Sequence, residues 1–248
     1  MKKGVLSEHK KIIVSLAERY NNMQWFESDP VIFPRFFAER VKSGASKTAD
    51  VEISGILAAH LAWGRREMVV RDCNRLFEEM DNRPYDYVMN GNYREDNRSL
   101  HRTIKWSDFA RICTNLRSFY SHNSTLERLT PSEIREFIYG QKPDKNAANK
   151  KIHMFRRWMV RNDGIVDIGI WKNISPSELI IPLDVHVHRS SLLLGITERK
   201  SADIKTAEEI TEFLNQLFPG DPCKGDFALF AYAAVTKNPL WSESQKND

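Results

Sequence analysis

Apolar residues recur at intervals of three and four along most of this chain and almost nowhere alternate strictly, so the pattern is helical nearly throughout. Val5, Ile12, Ile13, Leu16 and Ala17 mark a helix over residues 6–20, and Asp29-Pro30 opens a second over 31–41. Thr48-Ala49-Asp50 reads as the cap of a long apolar helix over 51–63 that Gly64 ends. An amphipathic segment covers 66–80, and Arg83-Pro84 opens the next. Further helices are predicted over 106–120, from Thr130-Pro131-Ser132-Glu133 onward, and over 146–161, where Asp163-Gly164 breaks the chain. Residues 165–181 read as extended or irregular, with a turn at Ser175-Pro176. Helices over 185–194, 202–218 and 226–236 complete the series, and the polar tail from Trp241 is expected to be loose. With no repeat and no β alternation, the expected class is all-α.

Composition changes this picture little. The 248 residues can bury a full core, and 41% hydrophobic with 28% charged residues is ordinary for a soluble globular protein. No apolar run suits a signal peptide or a membrane span, so a cytoplasmic protein without membrane contact is expected. Cys73, Cys113 and Cys223 stand far apart, unlike a disulfide framework or a zinc or iron–sulfur ligand set, and no cofactor is expected. Charge matters more. Net charge is only +4, yet Lys142, Lys145, Lys150, Lys151, Arg156, Arg157 and Arg161 crowd one segment against Asp144 alone, leaving the rest net acidic. Such a run is either a solvated helix face or a local field for an anionic polymer.

Two places could carry chemistry. On a helix over 146–161, Ala148, Ile152, Phe155 and Met159 share the core face, Lys151 lies at its margin, and Lys150 points nearly opposite. A marginal lysine either snorkels to solvent or projects an amine into a cleft. In the second case, burial and a neighbouring cation such as Arg156 disfavour its charge, as a nucleophilic amine requires. The other place is the corner where the apolar run Ile180-Ile181-Pro182-Leu183 meets Asp184. That carboxylate either caps the helix behind it or faces a cleft as a catalytic group.

The residues around Asp184 carry a resemblance. Leu183-Asp184-Val185-His186-Val187-His188-Arg189, running on to Leu193-Leu194-Gly195, resembles the V/L-D-x-H-V-x-R…L-G stretch of the helix-hairpin-helix-GPD superfamily of DNA base-excision glycosylases. Ile56-Leu57-Ala58-Ala59-His60…Arg65-Arg66-Glu67-Met68-Val69 is similar to the helix that opens that superfamily's six-helix lobe, and Asp226-Phe227-Ala228-Leu229-Phe230 is a weaker third match. Along most of its length the chain resembles more closely an uncharacterised bacterial family grouped with this superfamily. The resemblance implies a two-lobed helical fold with a cleft between lobes, the six-helix lobe over 49–145 and the second lobe built from 1–48 with 146–248. It implies a monomer acting on double-stranded DNA that carries a damaged or abasic nucleotide. Asp184 would oppose the developing sugar cation, and Lys151 would be the amine nucleophile, or Lys150 if the helix starts one residue differently. His60 would probe the space left by the extruded base, and Trp63, Trp158 or Trp171 would receive it. Arg156 and Arg157 would hold phosphates, with Arg65, Arg66, His186 and His188 as further substrate contacts.

The chain also departs from the superfamily. Residues 143–151 contain no glycine where the hairpin would need it for backbone approach to a phosphate. Lys151 and Asp184 stand farther apart in sequence than in most relatives, as they do in archaeal 8-oxoguanine glycosylases. Three other readings therefore stay open. One is a catalytically silent nucleic-acid-binding module. Another is a metal-dependent hydrolase using Asp184, His186 and His188, which would share a face only on a strand. The last is a structural partner protein in which Asp184 is merely a cap.

Overall fold

The structure, a computed structural model, describes residues 3–231 and 233. Its α-helices run in order α1 (Lys3–Tyr20), α2 (Ile32–Lys42), α3 (Thr48–Leu61), α4 (Arg66–Glu79), α5 (Pro84–Asn90), α6 (Trp106–Tyr120), α7 (Pro131–Glu133), α8 (Lys150–Val160), α9 (Val185–Leu193) and α10 (Ile204–Leu217). A small antiparallel pair, β1 (Ser99–His101) and β2 (Ile104–Lys105), is the sheet structure among the described residues. The protein is thus mostly helical. No helix among the described residues is long and apolar enough to cross a membrane.

The chain divides into two compact units, Phe26–Asp144 and a second formed by the described residues on either side of it. Residues 26–48, which the sequence reading groups with the C-terminal half, fall in the first unit because α2 packs on α3. That unit is built around α3, buried along almost its whole length on every side, which explains its weak amphipathic period. Glu52 lies fully buried within α3. A carboxylate there must be satisfied internally, and it is: Glu52 accepts from the Tyr120 hydroxyl at 2.7 Å, the Thr125 hydroxyl and the Leu126 amide at 3.0 Å. Phe77 of α4 packs against Phe33 and Phe37 of α2, with ring centroids 5.1 and 5.7 Å away.

In the second unit most residues of α8, the expected amphipathic helix, are buried, Arg157 included. Arg157 meets Asp167 at 3.3 Å and Asp226 at 2.7 Å. One turn on, Arg161 bonds Asp167, Asp163 at 3.1 Å and Asp221 at 2.8 Å. The two arginines tie the irregular stretch after α8 and the turn before residue 227 onto one helix. Phe227 stacks beneath both guanidinium groups, 4.7 and 5.1 Å from its ring centroid.

Element boundaries shift for identifiable reasons. Helix α8 starts at Lys150 rather than 146 because Asn149 adopts a left-handed φ of 44°, which no helix interior holds. Helix α3 starts before the expected cap, since Asp50 sits inside its first turn and accepts from the Lys47 amide at 2.8 Å. The Thr130 start is a capped turn that widens into a π-helical turn over Ile134–Ile138. Of the helix expected over 226–236 the described residues are helical, with π-helical geometry over Phe227–Ala231. The remainder of that helix, residue 233 apart, and the tail from Trp241 lie outside the described residues.

Candidate active site

Asp184 is the N-cap of α9. Its Oδ1 accepts from the amides of His186 at 2.9 Å and Val187 at 2.8 Å, which satisfies two of the donors a helix start leaves open. The residue is half-buried, so the other carboxylate oxygen need not be lost to the cap. Asp226 lies within electrostatic reach of Asp184, and α9 packs against the Phe227–Ala231 turn. The first and third matches of the sequence reading therefore meet in space. Asp226 is buried, its Oδ2 on Arg157 and its Oδ1 without a hydrogen-bond partner. Burial raises its pKa to about 6, Arg157 opposing and Asp184 adding to the rise. Behind the cap, the Ser190 and Ser191 hydroxyls are buried and likewise without partners.

Lys150 and Lys151 occupy the first two positions of α8, and that turn holds no acidic residue. Cations at a helix N-terminus oppose its dipole, so this local choice runs against helix stability. Lys151 is half-buried, and its pKa falls to about 8, through burial first and the Lys150 charge second. The neighbouring cation that counts is thus Lys150, where the sequence reading named Arg156. Arg156 is half-buried too, with Glu178 opposing the loss of its charge. Between them, His153 is buried with its Nε2 unpartnered, and burial lowers its pKa to about 4. Lys151, Asp184 and Asp226 all belong to the same compact unit.

Several expected contacts are corrected. Arg157 cannot grip a phosphate, because its guanidinium is buried in the Asp167–Asp226 pair. Arg161 is likewise neutralised by Asp163, Asp167 and Asp221, so neither arginine contributes to a basic surface. Trp158 and Trp171, at 0% and 3% exposure, are core residues and not open receptors for a base. The three-ligand metal reading fails on geometry: residues 185–193 are helical, His186 is exposed, and the His188 Nε2–H donates to the Arg199 carbonyl at 2.8 Å. No group of three candidate ligands converges among the described residues.

The remaining candidates belong to the Phe26–Asp144 unit. His60, at the end of α3, is half-buried with its ring 4.6 Å from that of Tyr139. Trp63 is half-buried beneath the Arg102 guanidinium, 4.1 Å from the ring, and beside His101. His101 bonds Asp72 and the Trp63 carbonyl, both at 2.8 Å, which pins the turn between α3 and α4. Arg66 pairs with Asp29 at 3.7 Å, whereas Arg65 is exposed. Tyr139, Arg102 and Arg199 carried no signal in the sequence. Asp226 did, through its weak motif.

A family model described as "Protein of unknown function (DUF2400)" matches residues 29–136 and 130–234. No curated protein and no solved structure matches the chain.

Proposed function

The chain belongs to the family described as "Protein of unknown function (DUF2400)"; from the residues of its candidate site we propose that it is a DNA N-glycosylase with abasic-site lyase activity. Its substrate would be double-stranded DNA carrying a damaged or abasic nucleotide. The observation that carries the reading is a half-buried capping carboxylate, Asp184, in the same compact unit as a primary amine whose pKa burial lowers to about 8, Lys151. The chemistry needs both. As the C1′–N bond breaks, its electrons leave with the base and positive charge grows on the sugar, which the Asp184 carboxylate opposes. The neutral Lys151 amine then donates its lone pair to C1′ and loses a proton, and the sugar ring opens to give a Schiff base. Loss of a C2′ proton expels the 3′ phosphate.

Incubation with abasic-site duplex and borohydride should trap a covalent adduct, and a panel of damaged bases should include one that is released. Neither adduct nor release across the panel would remove the enzymatic reading. Because the free amine attacks, adduct formation should rise with pH and level off above about 8. A rate indifferent to pH between 6 and 9 would argue against Lys151. Asp184→Asn keeps an oxygen to cap α9 but removes the charge, so base release should fall about 10²- to 10³-fold with the melting temperature little changed.

A second reading is favoured by one observation: residues 141–149 are irregular and contain no glycine. A nucleic-acid-binding module without turnover would show salt-dependent duplex binding that survives Asp184→Asn.

A further inference from the structure

In the Phe26–Asp144 unit a solvent-open depression of ≈ 260 Å³ is lined by Arg40, Lys47, Arg83, Asp50, Asp86, Asn82 and the loop Gly44–Ser46. We infer that this depression binds a phosphate group through Arg40 and Arg83.

Local structure builds it. Helix α2 ends in a Schellman motif: the Ala45 amide donates to the Arg40 carbonyl at 2.8 Å and the Gly44 amide to that of Val41 at 3.0 Å. Gly44 supplies the φ of +74° which that ending requires. The returning loop then holds the Arg40 side chain, whose Nε donates to the Ser46 hydroxyl at 3.1 Å and whose Nη2 reaches the Ala45 carbonyl at 3.4 Å. A guanidinium fixed in this way loses little further freedom on binding, and its remaining N–H groups are unspent.

Charge decides the ligand. Asp50 is buried with both oxygens taken, one by the Lys47 amide at 2.8 Å and the other by the Tyr85 amide at 2.9 Å. Asp86 is engaged by Lys47 at 3.2 Å, and the same ammonium lies 4.3 Å from the Tyr85 ring centroid. Asp50 thus has no oxygen left for Arg40 or Arg83, the Asp86 charge is offset by Lys47 through one of its two oxygens, and among the described residues no ion pair joins either guanidinium. Two arginines with spare donors face one hollow. The lining holds no large apolar side chain, and the volume falls below the roughly 300–1,000 Å³ usual for drug-sized ligands. A compact tetrahedral oxyanion fits these terms, since guanidinium forks match phosphate oxygens. It would be either a backbone phosphodiester of nucleic acid or the phosphate of a small molecule.

The test uses the full chain and two probes, a short DNA duplex and inorganic phosphate, each titrated by calorimetry against wild type, Arg40→Ala/Arg83→Ala and Arg83→Glu. Lys42→Ala, outside the hollow, is the control. Arg83 makes no side-chain contact that folding needs, so its single variant remains informative if the double one fails to fold. If the source is nucleic acid, duplex affinity falls about tenfold or more and the slope of log K against log salt loses about one unit per arginine, with the control unchanged. If the source is a free phosphate compound, saturable binding of inorganic phosphate disappears in the variants while duplex binding does not move. Wild-type-like binding of both probes in both variants, or no binding of either probe to wild type, overturns the inference. Because neither readout involves Lys151 or Asp184, it stands or falls separately from the lyase chemistry.

Discussion

Lys151→Ala is expected to abolish the borohydride-trapped adduct on abasic-site DNA while leaving the helical spectrum intact. The two halves of that expectation have one cause. Lys151 sits in the first turn of α8 with Lys150 beside it and no acid nearby in that turn. Removing a cation from a helix N-terminus favours the helix by about 0.3–1 kcal/mol, and alanine is the best helix former. The melting temperature of the variant, measured alongside, separates lost chemistry from lost folding. Lys150→Ala should keep the adduct but raise the pH at which it forms, because one source of the depressed Lys151 pKa disappears. An adduct that survives Lys151→Ala and vanishes in Lys150→Ala would transfer the nucleophile to its neighbour. Survival in both variants would remove α8 from the reaction altogether.

Arg157→Ala should lower unfolding free energy by about 3–5 kcal/mol, the usual cost of stripping one partner from a buried ion pair. Arg157 meets Asp167 and Asp226 where the three side chains are 4%, 0% and 2% exposed. Truncation strands two carboxylates that burial already drives toward their neutral forms. The pH dependence follows. The folded protein holds the Asp226 proton with a pKa of about 6, against 3.8 for the free side chain. This group's contribution to stability is therefore full below about pH 4 and is lost as pH rises through about 6. In Arg157→Ala the opposing guanidinium is gone, so the loss should extend to higher pH. Urea midpoints measured from pH 5 to 8 would show this as a gap between variant and wild type that widens with pH. A variant as stable as wild type at pH 8 would mean the pair contributes nothing.

How much of this was legible beforehand differs element by element. The 106–120 helix emerged with its boundaries unchanged, because a capping acid, a sharp amphipathic period and a polar stop all agree there. The Ser99–Lys105 strand pair left no trace, since strands of three and two residues are too short to show alternation. The start of α8 was misplaced by a left-handed asparagine, a conformation that no periodicity reports. For the candidate site, Asp184 was found with its cap role, and Lys151 was found at the margin of a buried face. The assignment of Arg157 to phosphate binding failed because a sequence lists cations without saying which acids they face.

Helical class, the order of the elements and the presence of one carboxylate and one lysine in unusual local settings were determined by the chain alone. Each depends on interactions between residues a few positions apart. Only tertiary structure decided that Arg157 and Arg161 are spent inside the molecule, that Trp158 and Trp171 are core, that Asp226 lies near Asp184, and that Arg40 and Arg83 face one hollow. Those outcomes turn on burial and on partners tens of residues away. Charge means something different in water and in a protein interior, and a one-dimensional pattern cannot say which of the two a side chain meets.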